Sequence, residues 1–453
     1  MNRREILSLS GALAAAALAG CAGDGDPATT TSETPTETTT TTTASPGAPT
    51  AETPPSGEPQ TPDERLAELA AGNAAFALDL HRAVANEQGG NVFLSPYSVS
   101  VALAMTYAGA EGETRDQMRE TLHYALDEQI HPAFADLQAA LEERETTTDP
   151  TSDEAVDAFA LAVANALWGR EGFAFADDYL SLLEQHYGAG LRRADFVNDP
   201  DGERERINQW VADNTEGRVE RLLPPTAISP ATVLVLTNAI FFKASWSKQF
   251  DPENTADGTF TALSGSTSTV PFMEQELRTP YASLPNAQAV ELPYVGREVS
   301  MVLLLPDEGE FESFERSLTP DRLFGIFEEL GDAKGQLALP KFEYRTKVRL
   351  SKTLSELGMP VAFGSGADFG GMVEGDDAGL WISEVFHEAF VTVDEEGTEA
   401  AAATAVEVVE SLPPQWGTVR FDRPFLFCIR DRPTDAVLFL GRVVDAGSAQ
   451  PQS

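Results

Sequence analysis

Residues 386–412 read FHEAFVTVDEEGTEAAAATAVEVVESL, and the behaviour of the stretch after Gly397 decides what kind of protein this is. Phe386 to Val393 alternates as a strand does. Glu395-Glu396-Gly397 breaks the alternation, and Gly397 offers the free backbone torsions of a hinge. The twelve residues that follow are nearly all small. Propensity alone favours an alanine-rich helix there, since Ala is the best helix former and a poor strand residue. Read with a period of two, the same residues divide differently. Thr398, Ala400, Ala402, Thr404, Val406 and Val408 fall on one side, without charge or bulk, and could slide into a packed sheet. The other side carries Glu399 and Glu407, which would face solvent. A segment able to be exposed loop or inserted strand is a two-state element.

The remainder of the chain divides into an export segment, a tether and one large body. Residues 1–21 (MNRREILSLSGALAAAALAGC) set Arg3 and Arg4 before a short apolar run, too short to span a membrane, which reads as a twin-arginine type signal. Leu18-Ala19-Gly20-Cys21 resembles a lipobox, so Cys21 is the expected lipid attachment point and the protein is expected on the outer face of the cell membrane. Ordinary cleavage without a lipid is the alternative. Residues 22–62 are Thr, Pro, Ser, Gly and Glu with almost no large apolar side chain, a composition that cannot offset its ordering entropy. The body is expected over 63–446, with a flexible tail at 447–453. Cys428, inside the apolar run Phe425–Ile429, reads as a packed thiol, and no disulfide is expected.

Within the body, helical spacing marks 64–85, 96–107, 155–167, 178–186 and 204–214. Apolar β-type runs occupy 232–242, 289–292, 299–305, 336–339, 386–393, 425–429 and 437–443. Helices lead and strands follow, which argues for an α+β fold over a βαβ repeat.

Charge and motif content exclude several functions. The formal net charge is −41, with 72 acidic against 31 basic residues, which repels nucleic acid and anionic membrane surfaces. The acid is dispersed and lysines number only six, a pattern suited to concentrated salt, so a halophilic source is expected. The five histidines make no metal-ligand spacing, and no nucleophile elbow, phosphate loop or dinucleotide fingerprint occurs. Catalysis and cofactors are therefore not expected. The acidic 140–157 stretch argues against control by heparin-like polyanions.

Several motifs bear on the family. Glu395-Glu396-Gly397-Thr398-Glu399, four alanines and Thr404 resemble the proximal hinge of the inhibitory serpins. Residues 91–98 (NVFLSPYS), 238–243 (NAIFFK) with Trp246, 339–342 (LPKF) and 421–427 (FDRPFLF) are similar to further serpin motifs in the same order. The resemblance runs from about Asn73 to Asp445. It implies three β-sheets with about eight or nine helices around them, in one domain, with an exposed reactive-centre loop. It implies a suicide mechanism: a serine protease cleaves the loop, and the loop inserts into the main sheet with the acyl-enzyme attached.

By that resemblance Ser95, Ser98, Asn238 and His387 form the polar "shutter" beneath the opening sheet. Trp246 and Lys341 belong to the "breach" where the loop first goes in, with Glu395 able to pair with Lys341. The hinge is Glu395, Glu396, Gly397, Thr398, Ala400, Ala402 and Thr404. Spacing from Gly397 places the scissile bond at Ser411-Leu412, with Glu410-Ser411 as the runner-up. Neither offers Lys or Arg, so a subtilisin-, elastase- or chymotrypsin-like protease is the expected partner of a monomeric inhibitor. Three other readings compete. A non-inhibitory binding or chaperone protein of the same fold would favour bulky or charged inward hinge residues, and they are absent. A lipid-anchored solute-binding protein would need a two-lobed α/β pattern. An enzyme would need a catalytic constellation.

Overall fold

The structure, a computed structural model, describes residues 61–148, 155–188, 190–375, 379–398 and 414–450. Cys21, the tether through residue 60, and the loop positions Ala400, Ala402, Thr404, Glu410, Ser411 and Leu412 lie outside them.

Nine α-helices occur among the described residues: α1 (Pro62–Gln88), α2 (Pro96–Tyr107), α3 (Gly112–Thr121), α4 (Ile130–Arg144), α5 (Asp177–Tyr187), α6 (Pro200–Asn214), α7 (Phe311–Ser317), α8 (Pro320–Glu329) and α9 (Ser351–Leu357). Helix α1 starts one residue before the expected body. Thr61 caps it, in a box with Glu64, and Pro62 takes the first turn. Helix α2 has no charged residue and is buried on every side, as a helix apolar all round must be. Pro96 opens it and the Ser95 side chain caps it, accepting from the Ser98 amide.

The strands form three sheets. The six-stranded sheet runs β12 (Phe342–Arg349), β13 (Ile382–Val393), β6 (Leu234–Ser245), β4 (Phe159–Arg170), β5 (Arg192–Ala194), and β14 (Gly397–Thr398) pairs with β6. The nine-stranded sheet runs β1 (Val92–Leu94), β17 (Ala436–Val443), β16 (Phe425–Asp431), β10 (Val299–Pro306), β9 (Ala287–Pro293), β8 (Thr267–Leu284), β11 (Gly331–Pro340), β15 (Gln415–Arg420), with β7 (Thr255–Thr261) on β8. A two-stranded ribbon joins β2 (Thr146–Thr148) and β3 (Ala155–Asp157). The α+β class and the three sheets agree with the expectation. One main core joins the six-stranded sheet, α2 and the aromatic face of β1, β16 and β17, where Phe93 stacks on Phe427 and Phe439.

Two expectations fail. Residues 155–167 are not helical: Phe159–Arg170 is strand β4, antiparallel to β6 through eleven residue pairs. Its alanines, Ala164 and Ala166 among them, lie under Ile207 and Val211 of α6, so close packing between sheet and helix overrides their helical propensity. Nor is the whole 447–453 tail loose. Gly447–Ala449 forms a 3₁₀ turn with Ala449 buried, and the Gln450 amide donates to the Lys341 carbonyl at 2.9 Å.

Candidate functional site

Strands β6 and β13 are the centre of the six-stranded sheet, and they run parallel. Their pairing stops at Phe390–Phe241. Beyond it the two strands diverge, and Gly397 and Thr398 take up Ser245 and Ala244 in antiparallel register. The hinge thus sits as a short wedge at one end of a parallel seam.

The wedge is held from several sides. The Asp394 carboxylate accepts the amides of Glu396 and Gly397 at 2.9 and 3.1 Å, an Asx-type turn that ends β13. Trp246 donates its backbone amide to the Glu396 carbonyl (2.9 Å) and its indole Nε1 to the Asp394 carbonyl (3.0 Å). Its ring stacks on Tyr294, 4.7 Å between centroids, and the Tyr294 hydroxyl lies 2.9 Å from that of Thr398. Thr398 is 1% exposed, so its face of the segment points inward. Gly397 is required here by close approach: a Cβ would collide with the Ala244 carbonyl oxygen. Its φ of +159° is also one that side-chain-bearing residues rarely adopt, in keeping with the backbone freedom expected of it.

Lys341 Nζ lies 2.6 Å from Glu395 Oε2, and the Thr255 hydroxyl donates to Glu395 Oε1 at 2.7 Å. Burial pushes the Glu395 pKa up, but these hydrogen bonds outweigh it and the carboxyl titrates below its ordinary range. Replacing Glu395 with Lys sets two cations together and leaves Thr255 unpaired. The expected result is release of the hinge and polymer formation after mild heating, read by size-exclusion chromatography; unchanged monomer would count against it.

Halfway along the seam lies a polar row. His387 and Asn238 are register partners across it, and Asn165 on β4 continues the row. The Ser95 amide donates to His387 Nε2 at 3.2 Å, so the ring proton sits on Nδ1 and is donated to Asn238 Oδ1. The Asn238 amide donates to Ser98 Oγ (2.7 Å) and Asn165 Oδ1 (2.5 Å). Ser98 Oγ donates to Asn165 at 3.0 Å, and Ser95 Oγ to the Leu438 carbonyl at 2.8 Å. The four expected shutter residues are thereby brought together, as are Trp246, Lys341 and the hinge residues 395–398. Sequence reasoning missed Asn165, Asp394, Thr255 and Tyr294. Asn165 was hidden by the mistaken helix. Asp394 carried a local signal, an Asp three residues before a Gly.

Burial holds His387 neutral, its pKa driven down to about 3, and lowers His131 to about 4. The buried His81 is lowered as well, burial outweighing its bond to Glu315. Each ring gains a proton on unfolding below its ordinary value of 6.5. Stability is therefore full above about pH 6.5 and falls as acid is added, by about 1.4 kcal/mol per pH unit each for His387 and His131, with His81 acting in the same direction. Urea midpoints between pH 7.5 and 4.5 test this, and a flat profile would refute it.

No group of three His, Cys, Asp or Glu that could hold a metal occurs among the described residues. Cys428 is buried in β16, and burial pushes its thiol up to about 12.

The comparisons agree with this geometry. The family described as "Serpin (serine protease inhibitor)" matches residues 71–446. An uncharacterised serpin-like protein of Thermococcus kodakarensis is 36% identical over 375 residues, covering 82% of this chain and 84% of that protein. The leukocyte elastase inhibitor of Sus scrofa is 39% identical over 390 residues, 83% and 99% covered. The crystal structure of tengpin, a thermophilic serpin in the native state, superposes with a TM-score of 0.72 at 30% identity, covering 83% of this chain and 94% of that one. Hinge, polar row and sheet order thus meet a sequence match along nearly the whole body, and the chain belongs to the serpin family.

Proposed function

We propose that this protein is a suicide inhibitor of an extracellular serine protease, held on the outer face of the cell membrane by lipid on Cys21 and acting as a monomer. The protease would be subtilisin-, elastase- or chymotrypsin-like, with Ser411-Leu412 as the bait bond.

The observation that carries the reading is the wedge at the head of the β6–β13 seam. Extending the register of Thr398 on Ala244 along β6 would set Ala400 against Phe242, Ala402 against Ile240 and Thr404 against Asn238. Val406 and Val408 would then meet Leu236 and Leu234, the first residue of β6. The inserted strand would run antiparallel to β6 and, since β6 and β13 are parallel, antiparallel to β13 too. One parallel ladder would be replaced by two antiparallel ones, which pair slightly better per residue. The inward positions share the side of Thr398, where small side chains fit the closed core.

Passage requires the His387–Asn238 hydrogen bond to break, since the two lie on opposite sides of the seam. Thr404, arriving there, could satisfy Asn238 with its hydroxyl. The rest of the row, Asn238–Asn165–Ser98, stays on one side and need not open. The attached protease would be carried along the sheet, and distortion of its oxyanion hole would stall deacylation, because that step depends on donors aimed at the developing charge.

Incubating the purified protein with subtilisin, elastase, chymotrypsin and trypsin tests this directly. A protein–protease adduct surviving denaturing electrophoresis is expected with one or more of the first three; clean cleavage by all of them, without adduct, would overturn it.

A further inference from the structure

The segment 246–250 holds the hinge with one side and, with the other, walls a cavity of about 310 Å³. Trp246, Phe250, Leu277 and Leu292, all buried, give it apolar walls. Its lining also carries three cations, Lys248, Arg278 and Arg297, and no carboxylate. In a chain with 72 acidic and 31 basic residues this concentration of one sign is against the general composition. The cations are also fixed in place. Arg278 Nε donates to Asp332 at 2.6 Å, and Lys248 Nζ to the Glu276 carbonyl at 3.1 Å, which orients the ammonium without neutralising it. Arg297 holds φ +63°, a left-handed conformation that a long side chain adopts at a cost, in the turn between β9 and β10. Asn or Gly would relieve the backbone there and remove the charge.

We propose that this cavity binds a small amphipathic monoanion: a carboxylate on an aryl or hydrocarbon body, its head among Arg278, Arg297 and Lys248 and its body against Trp246 and Leu292. The volume lies at the small end for organic ligands, which fits a phenylalkanoate or medium-chain fatty acid. Occupancy braces the hinge. Trp246 and Phe250 donate their amides to the Glu396 and Glu395 carbonyls at 2.9 and 2.8 Å, so a ligand packed behind them stabilises the docked state over any state in which this segment moves. Binding stands on its own; its slowing of loop insertion rests on the inhibitory reading above.

Calorimetric titration of the purified protein with 4-phenylbutyrate, and with the uncharged 4-phenylbutanamide, tests the site. One saturable site is expected for the acid, with the amide at least tenfold weaker. The double variant Lys248→Glu/Arg297→Glu, altering two exposed side chains, should weaken the acid at least tenfold and leave the melting temperature unchanged. Reversal of Arg193 and Lys352, exposed elsewhere, should do nothing. Hydrogen exchange at the Trp246 and Phe250 amides should slow when the acid is bound. Absence of saturable binding, equal binding of acid and amide, or indifference to the double reversal would overturn the site. Binding with unchanged exchange would overturn the coupling to the hinge. None of these readouts uses a protease, so they fail or hold independently of inhibition.

Discussion

Thr398→Arg is expected to turn the protein from an inhibitor into a substrate. Thr398 is the first inward side chain of the hinge, 1% exposed, with its hydroxyl against Tyr294 and its backbone on Ala244. A guanidinium at that point must be buried without a partner before any later residue can follow, at a cost of several kcal/mol. The intact form escapes this penalty by undocking residue 398 from Ala244, so on the proposed mechanism the cost falls on the opening step of insertion, with which deacylation competes. The variant should be cleaved at the wild-type rate, while its yield of denaturant-resistant adduct drops at least tenfold. Thr398→Val keeps the shape and loses only the hydroxyl, so it should still form adduct. Adduct at wild-type yield from the arginine variant would remove insertion from the mechanism.

Cleavage of the loop by a protease that is not trapped should make the body more stable. A new central strand gains hydrogen bonds on both edges, each worth about 1 kcal/mol net. Along the length of β6, this comes to on the order of 10 kcal/mol before apolar burial is counted. For a body of this size, the melting temperature should rise by roughly 10 °C or more. Scanning calorimetry of intact and nicked protein gives the comparison. Equal melting temperatures would mean that the intact form stores nothing to release.

The two expectations depend on different parts of the molecule, and those parts were unequally visible in the residues. The inward face of Thr398 lay open because the alternation that predicts it is local, while the alternate small positions after it lie outside the described residues. The shutter and the Glu395–Lys341 contact could be anticipated only through resemblance to a known family, since, Ser95 and Ser98 aside, the contacts join residues 54 to 292 apart. Tyr294, which receives Thr398 across 104 residues, sits in a β-hairpin with no feature that announces the contact. The strand at 159–170 was misread because four of its residues are alanine, and the packing that makes alanine useful there comes from α6, thirty or more residues later. Local periodicity was therefore a sound guide wherever a segment's own face decides its conformation, and a poor one wherever a distant partner does.

The place of β17 in the nine-stranded sheet has a bearing on folding. Strand β17 lies between β1 and β16, Ser95 of the capped helix bonds its Leu438 carbonyl, and Gln450 clasps the backbone of Lys341 beside the hinge. The opening third of the body consequently has no complete core to fold against until β16 and β17, about 330 residues later in the sequence, are in place. Closure of the main core must therefore wait for these two strands, and a product lacking them would leave Phe93 without Phe427 and Phe439 to stack on.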